Sequence, residues 1–343
     1  MALEVGSFTL RGRSMNALKP YAICVLLFCF DAGEVLAQLA IPRDTTYTVW
    51  STHQKLKKQF PQIVVVKPVY SNNLTQRLDV PYTTVNSSGG TRELKADLFY
   101  PKKIRKELPA VVMVHGGGWR SGDKSMNTPL AQQLALEGYF VMSVEYQLSL
   151  EAKYPAAVYN LKAAVRWLRK NAEEFQVNRK YIAMIGGSAG GQLASLIGAT
   201  NGNPQYEGDH GYNEFSSQVQ AVIDLDGLLD FTHPDNLAVK RTAQSADVFW
   251  LEGHYDSIPD KWREASALYQ VTKISPPYLF INSGQKRFHA GYKAMVAQLA
   301  SMDIKTEVVD LKTAPHSYWF FEPWFTPMKN SIVLFLNQTS KNK

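Results

Sequence analysis

Residues 181–199 read YIAMIGGSAGGQLASLIGA, and the fold follows from this stretch. It opens with an apolar run, residues 181–185, of strand length and composition. It then passes through Gly186-Gly187-Ser188-Ala189-Gly190-Gly191 and continues with Leu193, Leu196 and Ile197 at helical spacing. A strand that turns into a helix within a few residues needs a bend too tight for ordinary side chains. Glycines two before and two after Ser188 remove the Cβ atoms that would clash there. The serine is left at the tip, its hydroxyl exposed above a helix N-terminus. A Gly-Ser loop that merely starts a helix shares the short pattern. The strand before and the helix after favour a nucleophile elbow.

Working outward, strands and helices alternate. Residues 110–114 read as a strand that ends in His115-Gly116-Gly117-Gly118-Trp119. Residues 128–137 read as a helix and 139–144 as a strand. Residues 156–171 form a helix with Ala157, Leu161, Ala164, Val165 and Leu168 on one face. Beyond the elbow come strands at 219–225, 277–282 and 305–311 and helices at 289–301 and 329–337. This alternation predicts an α/β chain with a mainly parallel sheet and helices on both faces. The signal is weak from 38 to about 80, with a short basic helix at 52–60 and a strand at 63–66. A strand at 94–99 and a surface connector at 101–108 follow. Two stretches break the alternation, a polar, glycine-rich one at 201–217 and a mixed, aromatic one at 228–269. Both are expected to form a modest cap that roofs the site, with 38–343 making one domain.

The 343 residues are 45% hydrophobic, enough for one large α/β domain or two small ones. Residues 1–37 resemble a cleavable signal peptide: Lys19, ten apolar residues at 21–30, then Val35-Leu36-Ala37 before Gln38. Met15 offers an alternative start. Ten apolar residues followed by Asp31 and Glu34 are too few to span a bilayer, so a secreted or periplasmic chain without stable membrane insertion is expected. Both cysteines, Cys24 and Cys29, fall inside that leader, which leaves the mature chain without disulfides or thiolates. The leader holds three basic and three acidic groups, so its removal keeps the formal charge at +7. That excess suits an anionic partner such as an acidic polysaccharide, although solvated lysines account for most of it. No basic helix or zinc-finger spacing points to nucleic acid.

The glycines after His115 suit acyl transfer, in which negative charge builds on a carbonyl oxygen. Backbone N–H groups stabilise that charge, and consecutive glycines let the backbone approach it. Gly117 and Gly118, with Ala189 at the elbow, are the expected oxyanion donors. A flexible glycine turn is the plainer alternative. Of the seven histidines, His316 in Ala314-Pro315-His316-Ser317 follows the last strand, where a loop would hang it over the elbow as general base. His115 reads as structural, and His210, His233 and His254 lie in irregular segments. No pair of histidines sits at metal-ligand spacing with a carboxylate, so neither a metal nor a cofactor is expected.

These motifs carry a resemblance. HGGGW with Gly122-Asp123-Lys124, then Glu145-Tyr146-Gln147-Leu148, Tyr154-Pro155-Ala156-Ala157, Trp167 and GGSAGG, resemble the acetyl-esterase and hormone-sensitive-lipase-like branch of the α/β-hydrolases. The likeness runs from about Leu94 to the end and is nearest to secreted bacterial carbohydrate esterases. It implies an α/β-hydrolase fold with a small cap. It also implies a serine esterase that removes acetyl, methyl or aromatic acyl groups from plant polysaccharide or oligosaccharides. An arylformamidase-type amidase or a small-molecule carboxylesterase shares the same motifs. A carbohydrate-binding protein on a degenerate hydrolase scaffold is the non-enzymatic alternative. The aromatic run Tyr318-Trp319-Phe320-Phe321-Glu322-Pro323-Trp324-Phe325 suits sugar stacking or core packing equally. Trp119, Trp319 and Arg287 are the candidate substrate contacts.

The chain departs from the family in three places. It has Gln147 and Asn160 where arginine and aspartate are frequent, both outside the chemistry. Where these enzymes read Gly-x-x-Asp, it has Gly284-Gln285-Lys286-Arg287, so the acid that orients the histidine is missing from its usual slot. Arg287 there is expected either to form a structural ion pair or to read a uronate carboxylate. The replacement acid is assigned to Asp226, at the exit of the strand next to the elbow strand and before Gly227. Pancreatic-type lipases resemble this placement. Asp224, Asp230, Asp310, Glu322 and a bare Ser–His dyad remain alternatives.

Overall fold

The computed structural model describes residues 44–87 and 90–341, so the leader read over 1–37 lies outside the described residues. The chain begins with α1 (Val49–Leu56), β1 (Val64–Val65), β2 (Leu74–Ser87), β3 (Gly90–Pro101) and β4 (Leu108–Val114). It continues through α2 (Thr128–Leu136), β5 (Phe140–Val144), α3 (Ala156–Lys170), β6 (Val177–Gly187) and α4 (Ala189–Ala199). After β7 (Ala221–Leu225) come three short helices, α5 (Pro234–Leu237), α6 (Ala246–Leu251) and α7 (Pro259–Glu264). The chain ends with β8 (Tyr278–Ser283), α8 (Tyr292–Ala300), β9 (Thr306–Leu311), β10 (Phe321–Glu322) and α9 (Phe325–Ser340).

Eight strands form one sheet in the order β2-β3-β5-β4-β6-β7-β8-β9. From β5 to β9 every neighbour is parallel, whereas β2 and β3 are added antiparallel at one edge. Strands buried on both faces read as unbroken apolar runs, as β4 and β5 do. Alternate side chains of β4 serve two cores. Val112 and Val114 belong to the core that holds Leu161, Val165 and Leu168 of α3 and Leu193 and Leu196 of α4. Val111 and Met113 belong to the other, with Leu130 and Leu134 of α2 and Ile332 and Phe335 of α9.

The register sets the site. Val114 lies beside Gly186, and Gly186 beside Asp224. The exits of β4, β6 and β7 are therefore neighbours at the carboxyl edge of the sheet, the edge where open α/β sheets hold ligands.

Several elements differ from expectation. The first helix runs over Val49–Leu56 rather than 52–60, because Thr48 and Ser51 form a capping box ahead of it. The expected strand at 63–66 shrinks to Val64–Val65, paired with β10. The 14-residue β2 has no counterpart among the expected strands. It contains Pro81, breaks register twice against β3 and holds Asp79 at φ +56°, which hides the two-residue period. The helix expected from 289 starts at Tyr292, since Lys286–His289 is a 3-10 turn and Gly291 follows at φ +92°. The last helix begins at Phe325, four residues early, with Phe325 and Met328 buried.

The expected cap is present only in part. Residues of 228–247 do roof the cavity over Ser188. Residues 201–217 do not reach it and pack on α3 instead. There Glu207 accepts from Lys162 Nζ (3.1 Å), Arg166 Nη1 (2.9 Å) and the Ser217 hydroxyl (2.7 Å). Two buried cations on α3 need a carboxylate, and Glu207 supplies it.

Candidate active site

Ser188 stands between β6 and α4 at φ +56° and ψ −122°, a strained conformation for a residue with a side chain. Two close approaches make the turn possible. A Cβ on Gly186 would lie 2.2 Å from the Gly190 carbonyl oxygen, and one on Gly190 would lie 2.3 Å from that of Val114. Only glycine fits at either place. The turn is held by Ser188 N–H donating to Leu225 O (2.9 Å) and Gln192 N–H donating to Ser188 O (3.0 Å).

The loop after β9 brings His316 over the elbow. His316 Nε2 lies 2.8 Å from Ser188 Oγ, and Nδ1 lies 2.9 Å from Asp226 Oδ2. Asp226 leaves β7 at φ +56° and is buried. Burial pushes its carboxyl up, but the hydrogen bonds from His289 and His316 outweigh this and hold it at about 2. An ionised carboxylate only accepts, so Nδ1 of His316 carries the proton and Nε2 is free to accept from the Ser188 hydroxyl. The imidazole is also fixed by its faces. Phe288 stacks on it with centroids 3.5 Å apart, and Trp319 meets it edge-on at 5.2 Å.

The remaining acid candidates are engaged elsewhere. Asp224 accepts from the Ser195 hydroxyl and from Gly227 N–H beneath α4. Asp230 accepts from Thr232 within a turn, Asp310 from Asn282 Nδ2, and Glu322 from Thr326. The strand end just before the vacated slot takes part. Ser283 N–H, at the end of β8, donates to Asp226 Oδ1 (2.7 Å), so the strand that usually supplies the acid here orients its neighbour's.

Gly117, Gly118 and Ala189 line one cavity of about 450 Å³ with Ser188 and His316. Ala189 is the first residue of α4, so its N–H has no acceptor within the helix. Gly117 and Gly118 take φ +125° and +61°. The loop around them is braced. Tyr146 donates to His115 O (3.0 Å), and the His115 ring stacks on Tyr146 with centroids 4.5 Å apart. Trp119 donates from Nε1 to Gln192 Oε1 (2.8 Å). Preorganised donors of this kind stabilise an oxyanion because they need not reorganise when charge develops.

The candidate substrate contacts separate. Trp119 lines the cavity but is buried and stacked on Trp250, centroids 4.8 Å apart, so its ring faces are committed to packing. Trp319 lies outside this cavity, packed under His316 and against Gly187. Tyr318, Phe320, Phe321, Trp324 and Phe325 are buried with it in the core beneath α9, and Trp319, Phe320 and Phe325 also line a second cavity there. Arg287 does line the cavity. No carboxylate lies within ion-pair distance of it among the described residues, so the structural ion pair expected for it is not formed.

Four contributors are absent from the sequence-based expectations. His289 donates to the second oxygen of Asp226 (3.1 Å), and Phe288 covers His316. Asp44 and Tyr47, from the weak-signal region, line the cavity, and Tyr47 Oη lies 2.9 Å from Ser317 Oγ beside the base.

Known proteins agree with this architecture. The BD-FAE family model matches residues 96–288, more than half of the chain, from β3 through the elbow and Asp226 to Phe288. Esterase LipC of Mycobacterium tuberculosis is 28% identical over 244 residues, 69% of this chain and 60% of its own length. The chain thus spans about three fifths of that relative. A truncated carbohydrate esterase from gut microbiota superposes with a TM-score of 0.68 at 22% identity, covering 80% of this chain and 99% of its own. Butyrate-bound esterase 2 of Thermogutta terrifontis gives 0.63 at 22% identity, covering 77% and 94%. The last two likenesses are of fold. With its mainly parallel sheet, its elbow and the matched span, the chain belongs to the BD-FAE family of α/β-hydrolases.

Proposed function

We propose that the chain is a serine esterase that acts through a covalent acyl-enzyme. The observation that carries this is the unbroken hydrogen-bond path Ser188–His316–Asp226, open at the serine to a cavity lined by glycine backbone. His316 Nε2 takes the Ser188 proton as Oγ attacks the ester carbonyl. The resulting oxyanion is held by the N–H groups of Gly117, Gly118 and Ala189. On collapse the proton passes from Nε2 to the leaving alcohol oxygen, and the acyl group stays on Ser188. Water then enters, gives a proton to His316, attacks the acyl carbon and releases the acid, with Ser188 recovering its proton. Asp226 stays ionised throughout and stabilises the imidazolium.

The substrate proposed is an ester-decorated plant polysaccharide or its oligosaccharides, met outside the cell. The similarity to proteins named as esterases and carbohydrate esterases supports this, as does the leader pattern over 1–37. Intact geometry at the serine, histidine and acid favours an enzyme over a binding protein on the same scaffold. Hydrolysis of p-nitrophenyl acetate by the wild type and by Ser188→Ala tests the reaction, with the variant expected to lose roughly 10³-fold or more in kcat. Equal rates would end the esterase reading. Release of acetate or methanol from xylan and pectin tests the substrate. Activity confined to lipid esters or N-formyl aromatics would refute the carbohydrate assignment.

A further inference from the structure

Four cationic side chains line the cavity over Ser188: Arg120, Lys240, Arg241 and Arg287. Two are neutralised. Arg120 faces Asp44 (Nε–Oδ2 3.3 Å), with its guanidinium 5.1 Å from the centre of the Phe249 ring. Arg241 is locked more firmly. Its Nε donates to Asp247 Oδ2 (2.7 Å), while Nη1 and Nη2 reach Asn236 O and Asn236 Oδ1 (2.8 Å each). Asp226 also borders the cavity, but its two oxygens are taken by His316, His289 and Ser283 N–H. Lys240 and Arg287 are left with no carboxylate within ion-pair distance among the described residues.

Arg287 is exposed, as is Lys240, but the turn that carries Arg287 is held close to His316. Its neighbour Phe288 stacks on His316 at 3.5 Å, and residues 286–289 form one 3-10 turn closed by Phe288 N–H donating to Gln285 O (3.0 Å). The backbone that carries the guanidinium is thereby tied to the general base. On the facing side, residues 237–246 of the roof carry Lys240 and Arg241 and no acidic residue before Asp247. Both side chains are exposed, so solvent screens them in part and their pull on an anion entering the cavity should depend on salt.

We infer that the cavity over Ser188 is built for an ester that also carries a carboxylate, bound by Arg287 with Lys240 adding charge from the roof. The inference rests on the esterase reading and narrows its substrate class to acidic esters, such as those of uronate-containing chains. A guanidinium offers two parallel donors that match a carboxylate, and charge-assisted bonds of this kind are stronger than neutral ones. Asp44 and Asp247 pair with Arg120 and Arg241. Asp247 also acts on Arg287, but from beyond ion-pair distance, so of the three arginines Arg287 is the one left to pair with the substrate's carboxylate.

Two matched pairs of probes test this, each rate divided by the rate with hydroxide. Sodium 4-acetoxybenzoate against 4-acetoxybenzamide puts the carboxylate on the alcohol side. Mono-4-nitrophenyl adipate against 4-nitrophenyl hexanoate puts it on the acyl side. The wild type should prefer the anionic member of at least one pair by roughly tenfold in kcat/KM at low ionic strength, with the preference falling as salt is added. In Arg287→Gln that ratio should collapse by about tenfold, and in Lys240→Gln by a smaller factor. Each ratio is taken on one protein sample, so a loss of folded protein cancels. No preference in either pair, or a preference that survives both substitutions, overturns the inference. Hydrolysis of neither member of either pair would instead be the failure of the esterase reading.

Discussion

His289 Nδ1 lies 3.1 Å from Oδ1 of Asp226, on the opposite carboxylate oxygen from the one that His316 uses. Asp226 thus sits between two imidazoles, with Ser283 N–H as a third donor. A buried carboxylate needs such partners, since burial alone pushes its carboxyl up. His289 is itself buried, edge-on to Tyr292 with centroids 5.2 Å apart, so its ring has little freedom to turn away. The second histidine fixes the rotamer of the Asp226 carboxylate at the exit of β7.

His289 should therefore act as a positioning residue. His289→Ala removes a donor from a buried charge, at a cost of about 1–3 kcal/mol in stability. Asp226 would then be free to rotate off His316, and kcat should fall by roughly tenfold or more while KM changes little. His289→Gln, which keeps an N–H donor, should recover part of the lost kcat. Equal kcat in the wild type and both variants, measured on p-nitrophenyl acetate, would leave His289 with a packing role only.

Asp226→Asn tests the acid directly. The amide cannot accept from His316 and His289 as the carboxylate does, and it favours the wrong imidazole tautomer. The serine-protease precedent for this change is a loss of about 10⁴ in kcat. A loss of roughly 10² or more is expected here, with the fold intact by circular dichroism. A folded variant with near wild-type turnover would remove Asp226 from the mechanism.

What the sequence shows of this site follows from how local each constraint is. The elbow and the glycine loop are legible because the clash that demands Gly186 and Gly190 arises within a few residues of Ser188 or one strand away. The parallel sheet is legible because β4 and β5 are buried on both faces and so read as continuous apolar runs. His289 is silent because its partner lies 63 residues earlier, and nothing in Phe288-His289-Ala290 marks it. The aromatic run is undecided in the sequence for a related reason. Tyr318 to Phe325 has the composition of a sugar platform, but which face a ring presents is decided by α9 and the sheet. In β2 the bulges and Pro81 erase the alternation that would reveal it.

Asp224 predicts a pH dependence of stability. It is fully buried, and burial pushes its carboxyl up to about 7, offset in part by the Ser195 hydroxyl and Gly227 N–H. The folded value exceeds the ordinary carboxylate value of 3.8, so between the two the folded chain binds more protons than the unfolded one. Stability from this group is therefore full below about 4 and declines as pH rises towards about 7. Asp224→Asn can keep both contacts if the Ser195 hydroxyl reverses, and it has no charge to lose. Urea unfolding at pH 5 and pH 8 should show the wild type losing about 2–4 kcal/mol more than the variant over that interval. Parallel losses would place the titration elsewhere.

Gln147 and Asn160 replace the arginine and aspartate frequent in similar esterases, and the structure shows that the two replacements answer each other. Asn160 Oδ1 accepts from Gln147 N–H (2.9 Å), and Asn160 Nδ2 donates to Gln147 Oε1 (3.2 Å). Gln147 Nε2 donates in turn to Asn86 O (2.9 Å), which ties β2 to the loop after β5. Both side chains are buried, Asn160 fully. Asn160→Asp alone places an unpaired carboxylate there, and Gln147→Arg alone an unpaired guanidinium. Each should cost about 3–5 kcal/mol, the range for a buried charge without its partner. Together the two substitutions rebuild an ion pair in which arginine can still reach Asn86 O. The double variant should then recover roughly 2 kcal/mol or more relative to the sum of the singles. Urea denaturation of the four proteins gives the coupling. An additive cycle would mean that the two positions do not share one hydrogen-bonding unit, and that the chain tolerates each polar replacement independently.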